Sequence, residues 1–249
     1  LSSYEIFQLS SLFETDIAEL ATPPQATLDD LERAVWIALL DSFVKSGSRL
    51  MYGTRTDAEA LERLHVVDAG GKPTLAGLMA LGSYPQQFYP QLFIDVAVHP
   101  MAEKSASEVR FLERKQCDGP LPIAVETAIQ TVLANLRTRA VERGSAMVDE
   151  PEIPEIAIRE AVVNAVMHRD YNPQVQGRQV QIDIYPDRVE INNPGGLWGD
   201  RTLENLDENR STTRNPALAN LLSHLPSPGG SSRVAENQGS GIQRMKLGM

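Results

Sequence analysis

Glu160-Ala-Val-Val-Asn164-Ala-Val-Met-His168-Arg-Asp-Tyr171 is the stretch that decides the fold of this chain. From Ile156 to Met167 nearly every position is apolar, so most of the circumference of a helix here wants to be inside. Glu160, Asn164 and His168 break that pattern at i, i+4 and i+8, which stacks a carboxylate, an amide and an imidazole along one face. Facing a protein interior, each is costly unless it finds a partner. A ligand or metal ion at that face would provide one. A helix edge emerging into solvent beside a loop would satisfy the same groups.

Working outward, Gln179-Val-Gln-Ile-Asp-Ile-Tyr185 alternates polar and apolar with period two, as does Arg188-Val-Glu-Ile-Asn192, and Pro186-Asp187 turns between them. The pattern predicts an antiparallel hairpin with Val180, Ile182, Ile184, Val189 and Ile191 on its inner face. The second strand runs straight into Asn193-Pro-Gly195-Gly196, and later Gly239-Ser240-Gly241-Ile242 leads into Gln243-Arg-Met245. Each glycine turn alone is a weak signal, since most need only a positive φ. The specificity lies in the order: polar-striped helix, hairpin, glycine turn at a strand end, late Gly-x-Gly before a helix.

With these runs on the page, residues 154–245 resemble the ATPase-like domain of the GHKL superfamily, which includes gyrase and the histidine kinases. They are more closely similar to a divergent branch at the C-terminal end of bacterial transcriptional regulators. Those regulators carry a Schlafen/AlbA-type DNA-binding domain and are often labelled RecG-like helicases or divergent AAA proteins. Arg214-Asn-Pro216 and, upstream, Leu75–Pro90 and Gly119-Pro-Leu121 extend the likeness to roughly residues 55–245. The resemblance implies an α+β chain: a two-layer α/β sandwich of GHKL (Bergerat) type, preceded by a smaller mixed helical and strand region. It also implies a binding site for ATP and Mg²⁺. Glu160 would orient a water for attack on the γ-phosphate, and Asn164 would bind the Mg²⁺ that bridges the phosphates. One helical turn apart, the two side chains lie roughly 6 Å from each other, enough for a metal and its water shell. His168, Arg169 and Asp170, on the same run, and Gly195 and Gly196 would be among the residues that contact the nucleotide; Asn193 would meet the base; Arg214 and Asn215 fall in the lid segment. Gly239, Ser240 and Gly241 would cradle phosphates with backbone amides. Asn193 departs from the Asp that usually accepts the adenine amino group, although an amide can accept through its oxygen and donate to the neighbouring ring nitrogen. Arg214 reads equally well as a solvated residue before an Asn-Pro turn.

Composition narrows the field. The net charge is −10, from 33 acidic and 23 basic side chains. Nucleic-acid surfaces cluster Lys and Arg, because phosphate neutralisation supplies most of the affinity. Here only Arg110/Arg114/Lys115 and Arg137/Arg139/Arg143 form short patches, which read as solvated helix faces. DNA contact is therefore expected from a domain outside this chain. The chain opens at Leu1 without an initiator methionine and stops at Met249 just after the Gly-x-Gly, so it reads as a piece with both ends removed. A lone Cys117 excludes a disulfide framework, suits the cytosol, and reads as a small buried apolar residue rather than a nucleophile. No apolar run reaches membrane-spanning length, and the histidines at 65, 99, 168 and 224 lack zinc-site spacing.

Three regions are expected: an arm over 1–26 ending at Thr22-Pro-Pro24, a mixed α/β connector over 27–120 with a winged-helix flavour, and the ATPase-like domain over 121–249. Thr27-Leu-Asp-Asp30 offers a capping box for a helix to about Val44, with Leu28, Leu31, Val35, Ala38 and Leu39 inward. Thr56-Asp-Ala-Glu59 caps a second helix through Leu64. Val66-Val67, Gly70-Gly71 and Thr74 onward read as a strand, a tight turn and a helix. Gln91–Val98 reads as a strand, 100–120 as irregular, and Pro122 to about Arg143 as one long helix ending at Gly144. A helicase motor needs G-x-x-x-x-G-K-[ST]; the nearest approach, Gly70-Gly-Lys-Pro-Thr74, lacks both the first Gly and the hydroxyl. Two functions follow: a nucleotide-binding regulatory domain, at most a slow ATPase, that couples ATP to DNA binding by a transcription factor; or a silent GHKL scaffold that forms a homodimer or binds an effector.

Overall fold

The structure, a computed structural model, describes residues 17–102, 109–143, 146–199, 202, 204–205, 213–229 and 233–235. At its centre is a four-stranded mixed sheet. Strand β1 (Ile94–Val98) pairs in parallel with β5 (Val180–Ile184), and the outer strands β2 (Glu113–Cys117) and β6 (Val189–Asn192) are antiparallel to them, in the order β2-β1-β5-β6. Two strands precede residue 120 and two follow it, so one hydrogen-bonded sheet joins the two stretches read separately from the sequence. Ile94, Val96 and Val98 sit in register with Val180, Ile182 and Ile184 and share one buried face. Helices α4 (Leu121–Asn135) and α5 (Glu155–Met167) cover that face, which gives the two-layer α/β arrangement expected of the chain.

The second face of the sheet carries acids, and each is answered. Asp95 on β1 takes a two-pronged bond from Arg114 on β2, with Nη2–Oδ2 at 2.8 Å and Nε–Oδ1 at 3.0 Å. Asp183 on β5 lies 2.6 Å from His99 Nε2, both buried, and His99 stacks on Tyr185 at 4.5 Å. Without these partners the buried carboxylates would be prohibitive.

The N-terminal region is a helical layer. Helix α1 (Arg33–Lys45) buries Leu39, Leu40 and Phe43; α2 (Asp57–Arg63) is capped by Thr56, whose Oγ accepts from Glu59 N; α3 (Leu75–Leu81) is capped by Thr74 and buried throughout. Between α2 and α3, Val67 bridges Pro73 around the Gly70-Gly71 turn, where Gly71 takes φ +78°. The capping box at Thr27 forms, but around a single tight turn, Leu28–Asp30. The chain then extends so that Leu31 bridges Gly82, and the helix restarts at Arg33. That interruption changes the phase of the helix, so Leu28 and Ala38, expected inside, are exposed.

Two further expectations are corrected. The stretch 100–120 contains β2, a charged edge strand with only Cys117 buried. The helix expected from Pro122 to Arg143 ends at Asn135; Thr138–Arg143 is strand β3, paired with β4 (Ala146–Pro151) as a separate ribbon. Burial pushes the Cys117 thiol up to about 11, which keeps it protonated and unreactive at neutral pH. Among the described residues, no helix is long and apolar enough to cross a membrane.

Candidate functional site

Helix α5 forms because a nearly continuous apolar sequence finds α4 and the sheet to cover it; Ala157, Ile158, Val162, Val163, Ala165, Val166 and Met167 are all buried. Glu160, Asn164 and His168 are half-buried on the remaining stripe. Asn164 Nδ2 donates to Glu160 Oε1 at 3.4 Å, so the two heads meet one turn apart on a single face. His168 closes the helix as its C-terminal cap, donating its N–H to Asn164 O at 2.9 Å.

The chain leaving α5 folds back on buried Arg169. Its guanidinium donates to the carbonyls of Asp170 (2.6 Å), Val175 (3.2 Å) and Arg178, and lies over the Tyr171 ring at 4.9 Å. Burial lowers the proton affinity of this cation. Tyr171, itself buried, donates its hydroxyl to Val166 O at 2.9 Å. Arg169 is thus turned to the protein's own backbone and organises the loop, a different use from the ligand contact expected of it.

That loop meets the turn after β6. Asp170 N donates to Pro194 O at 2.8 Å, which sets the Asn193–Gly196 segment beside the end of α5. Gly195 takes φ +108°, and a Cβ there would lie 2.0 Å from Arg214 Nη1 and 2.9 Å from Asp170 Cβ. Only glycine allows Arg214 to approach. Arg214 Nη1 stands 3.9 Å from Asp170 Oδ2, and its guanidinium lies over the Trp198 ring at 4.8 Å. Asp170 Oδ1 accepts from Asn172 N at 2.9 Å. Asn193 is half-buried at the strand end and Gly196 is exposed. Asn215, expected in a lid, is buried and donates through Nδ2 to Met167 O and Arg169 O, both at 2.8 Å. It satisfies the last carbonyl of α5 and one in the loop that follows.

The structure therefore gathers His168, Asp170, Pro194, Gly195 and Arg214 at the C-terminal end of α5, with Glu160 and Asn164 along the same helix. Gly239, Ser240 and Gly241 lie outside the described residues. Sequence reasoning missed Trp198, whose only signal was an indole inside the glycine-flanked run Gly196-Leu-Trp-Gly199. It also missed Glu126, which accepts from Arg159 Nη2 and Ser227 Oγ, both at 3.0 Å, and so ties α4 to α5 one residue from Glu160.

Does this set fit a cation and a phosphorylated ligand? Among the described residues no group of three or more His, Cys, Asp or Glu side chains is placed to hold a metal alone. Mg²⁺ needs few protein ligands and keeps waters or phosphate oxygens for the rest. Asn164 donates its NH₂ to Glu160, so its carbonyl oxygen is the atom that could face a metal, and a half-buried carboxylate beside it can hold a water. The donor set fits a metal carried in by phosphates and does not fit a metal bound by itself.

Residues 177–249 match the family model described as "Putative ATP-dependent DNA helicase recG C-terminal", an ATPase-like domain family. The match takes in the β5–β6 hairpin, the Asn193–Gly196 turn and Arg214; α5 precedes it. Among solved structures, the DIP2311 protein from Corynebacterium diphtheriae is similar over 98% of this chain and 45% of its own, with 23% identity and a TM-score of 0.66. This chain thus spans less than half of that protein's length, and at this identity the likeness is one of fold. No curated protein matches the chain.

Proposed function

We propose that the face of α5 and the Asn193–Gly196 turn bind a nucleoside triphosphate with Mg²⁺, and that this chain is the nucleotide-responsive part of a DNA-binding transcriptional regulator. The observation that carries the reading is the contact of Glu160 with Asn164 on one half-buried face whose end is closed by Asp170, Gly195 and Arg214. The similarity to an ATPase-like family supports it. Asn164 would ligate the metal through its carbonyl oxygen, and Glu160 would hold a water and accept its proton if turnover occurs. Bound Mg²⁺ neutralises phosphate charge. Asn193 meets the base and Arg214 faces the phosphates or the base edge.

Calorimetry tests this directly. Mg-ATP should bind with at best micromolar affinity, and Asn164→Ala should remove the dependence of that affinity on Mg²⁺. Glu160→Gln should leave binding within a few-fold and abolish any turnover. Failure of ATP, ADP and GTP alike to bind at millimolar concentration would end the reading. The alternative, a silent scaffold that dimerises the protein or binds an effector, draws on the resemblance stated above, in which Asn193 stands where GHKL proteins usually have an Asp that accepts the base amino group.

A further inference from the structure

The end of α5 is tied, through helix α6 (Pro216–Leu222), to the N-terminal segment. Glu19 is fully buried; its Oε1 accepts from Ala217 N at 3.0 Å and its Oε2 from Leu218 N at 2.8 Å. A carboxylate in this position satisfies amides that a helix start leaves free and meets the positive end of the helix dipole. The segment is gripped on its other side as well, since Leu75 N of α3 donates to Ala21 O at 2.8 Å. From the same helix start, Asn215 reaches the carbonyls of Met167 and Arg169, and the preceding Arg214 faces Asp170. Direct contacts thus run from Glu19 to Ala217–Leu218, through Asn215 to the end of α5, and on to Pro194 and Gly195.

We propose that Glu19 is a latch through which the N-terminal segment Ala18–Ala21 regulates the nucleotide site. With Glu19 seated, α6 is capped, Asn215 holds the end of α5, and Arg214 is kept against Asp170. With the segment withdrawn, the α6 start loses its cap and the site loses both restraints. The choice of residue favours release. An apolar side chain pulled from this pocket would carry its hydrophobic penalty into water, whereas a carboxylate regains full hydration. Its compensation inside, among the described residues, is the pair of backbone amides. Coupling of this kind needs an element with two arrangements that both ends bias, and α6 is that element. The regulatory meaning rests on the nucleotide reading of the site; the mechanical link does not.

Amide hydrogen exchange on the whole chain, without nucleotide, tests the link, and Mg-ATP calorimetry on the same variants tests its consequence. Glu19→Gln keeps the shape but sets an NH₂ against a backbone N–H. It should speed exchange by about tenfold at Ala217–Leu222 and at His168–Asp170, with β5 unchanged. It should also weaken Mg-ATP by about tenfold. Asn215→Ala should speed His168–Asp170 while Ala217 and Leu218 stay protected, and adding Glu19→Gln to it should have no further effect on His168–Asp170. Exchange confined to α6 in Glu19→Gln, or spread uniformly into β5, overturns the latch, as does unchanged His168–Asp170 in Asn215→Ala. Coupled exchange with no Mg-ATP binding to the unmodified protein overturns the nucleotide reading instead. Binding that Glu19→Gln leaves untouched overturns the regulatory role.

Discussion

At Gly195 backbone conformation and side-chain geometry make the same demand. The positive φ excludes most side chains, and the space a Cβ would fill belongs to Arg214. Gly71 has a similar φ of +78° but nothing within 4 Å of its Cβ position. The two glycines therefore separate strain from crowding. Gly71→Ala should cost about 1 kcal/mol, from backbone strain alone, and Gly195→Ala about 1–3 kcal/mol more because Arg214 must move. Urea unfolding with an unchanged m-value would measure both. Equal losses at the two positions would mean that Arg214 shifts freely and is not fixed by the turn. The same residue scale shows where sequence reading stops. Arg169, Asp170, Arg214 and Asn215 were all singled out by their place in the chain, yet two of them serve the fold. Asn215 through its amide and Arg169 through its Nη atoms donate to backbone carbonyls, and no spacing rule distinguishes such a residue from one that meets a ligand.

Among the elements, α5 was legible from a polar stripe on an otherwise apolar helix, and the β5–β6 hairpin from the alternation of its side chains, with Val189 and Ile191 packed against the core. Strand β2 left no such trace: at a sheet edge with four exposed positions it alternates nothing. The β3–β4 ribbon was concealed by its composition, since Thr-Arg-Ala-Val-Glu-Arg continues a helical pattern as readily as it starts a strand. What joins α4 to α5 can be tested by pH. Burial raises the Glu126 carboxyl, but bonds from Gln130, Arg159 and Ser227 outweigh it and hold the group below its ordinary 4.5. A depressed carboxyl contributes stability that is present above the unfolded value and is lost as pH falls through the folded one. The stability advantage of the unaltered protein over Glu126→Gln should therefore be full at neutral pH and shrink once pH drops below about 4.5. Thermal melts across that range measure it. A difference that stayed constant with pH would mean that the charge of Glu126 contributes nothing to the α4–α5 junction.

For the molecule as a whole, charge decides which partner this chain can meet directly. A net −10 sets up a field that repels a phosphate backbone, and several of the cations that would oppose it are already engaged. Arg114 is bound to Asp95, Arg159 to Glu126, and Arg188 to Asp187 and Glu190. Arg137 and Arg139 are exposed, but the ribbon that carries Arg139 aligns it with Glu150. A nucleotide with its own Mg²⁺ arrives with part of its charge neutralised and meets a weaker repulsion than a duplex does. We therefore expect residues 1–249 alone to bind duplex DNA weakly, without sequence preference and with a shallow dependence on salt. A longer protein carrying a basic upstream domain should bind tightly and lose affinity steeply as salt rises, since each phosphate neutralised adds roughly 0.9 to the log–log slope. Titration of one labelled duplex against both proteins at two salt concentrations separates the cases. Equal affinity and equal slopes would place the DNA contact on this chain, at Arg110 or along Arg137–Arg139, and the nucleotide site would then act on DNA directly instead of through the N-terminal segment.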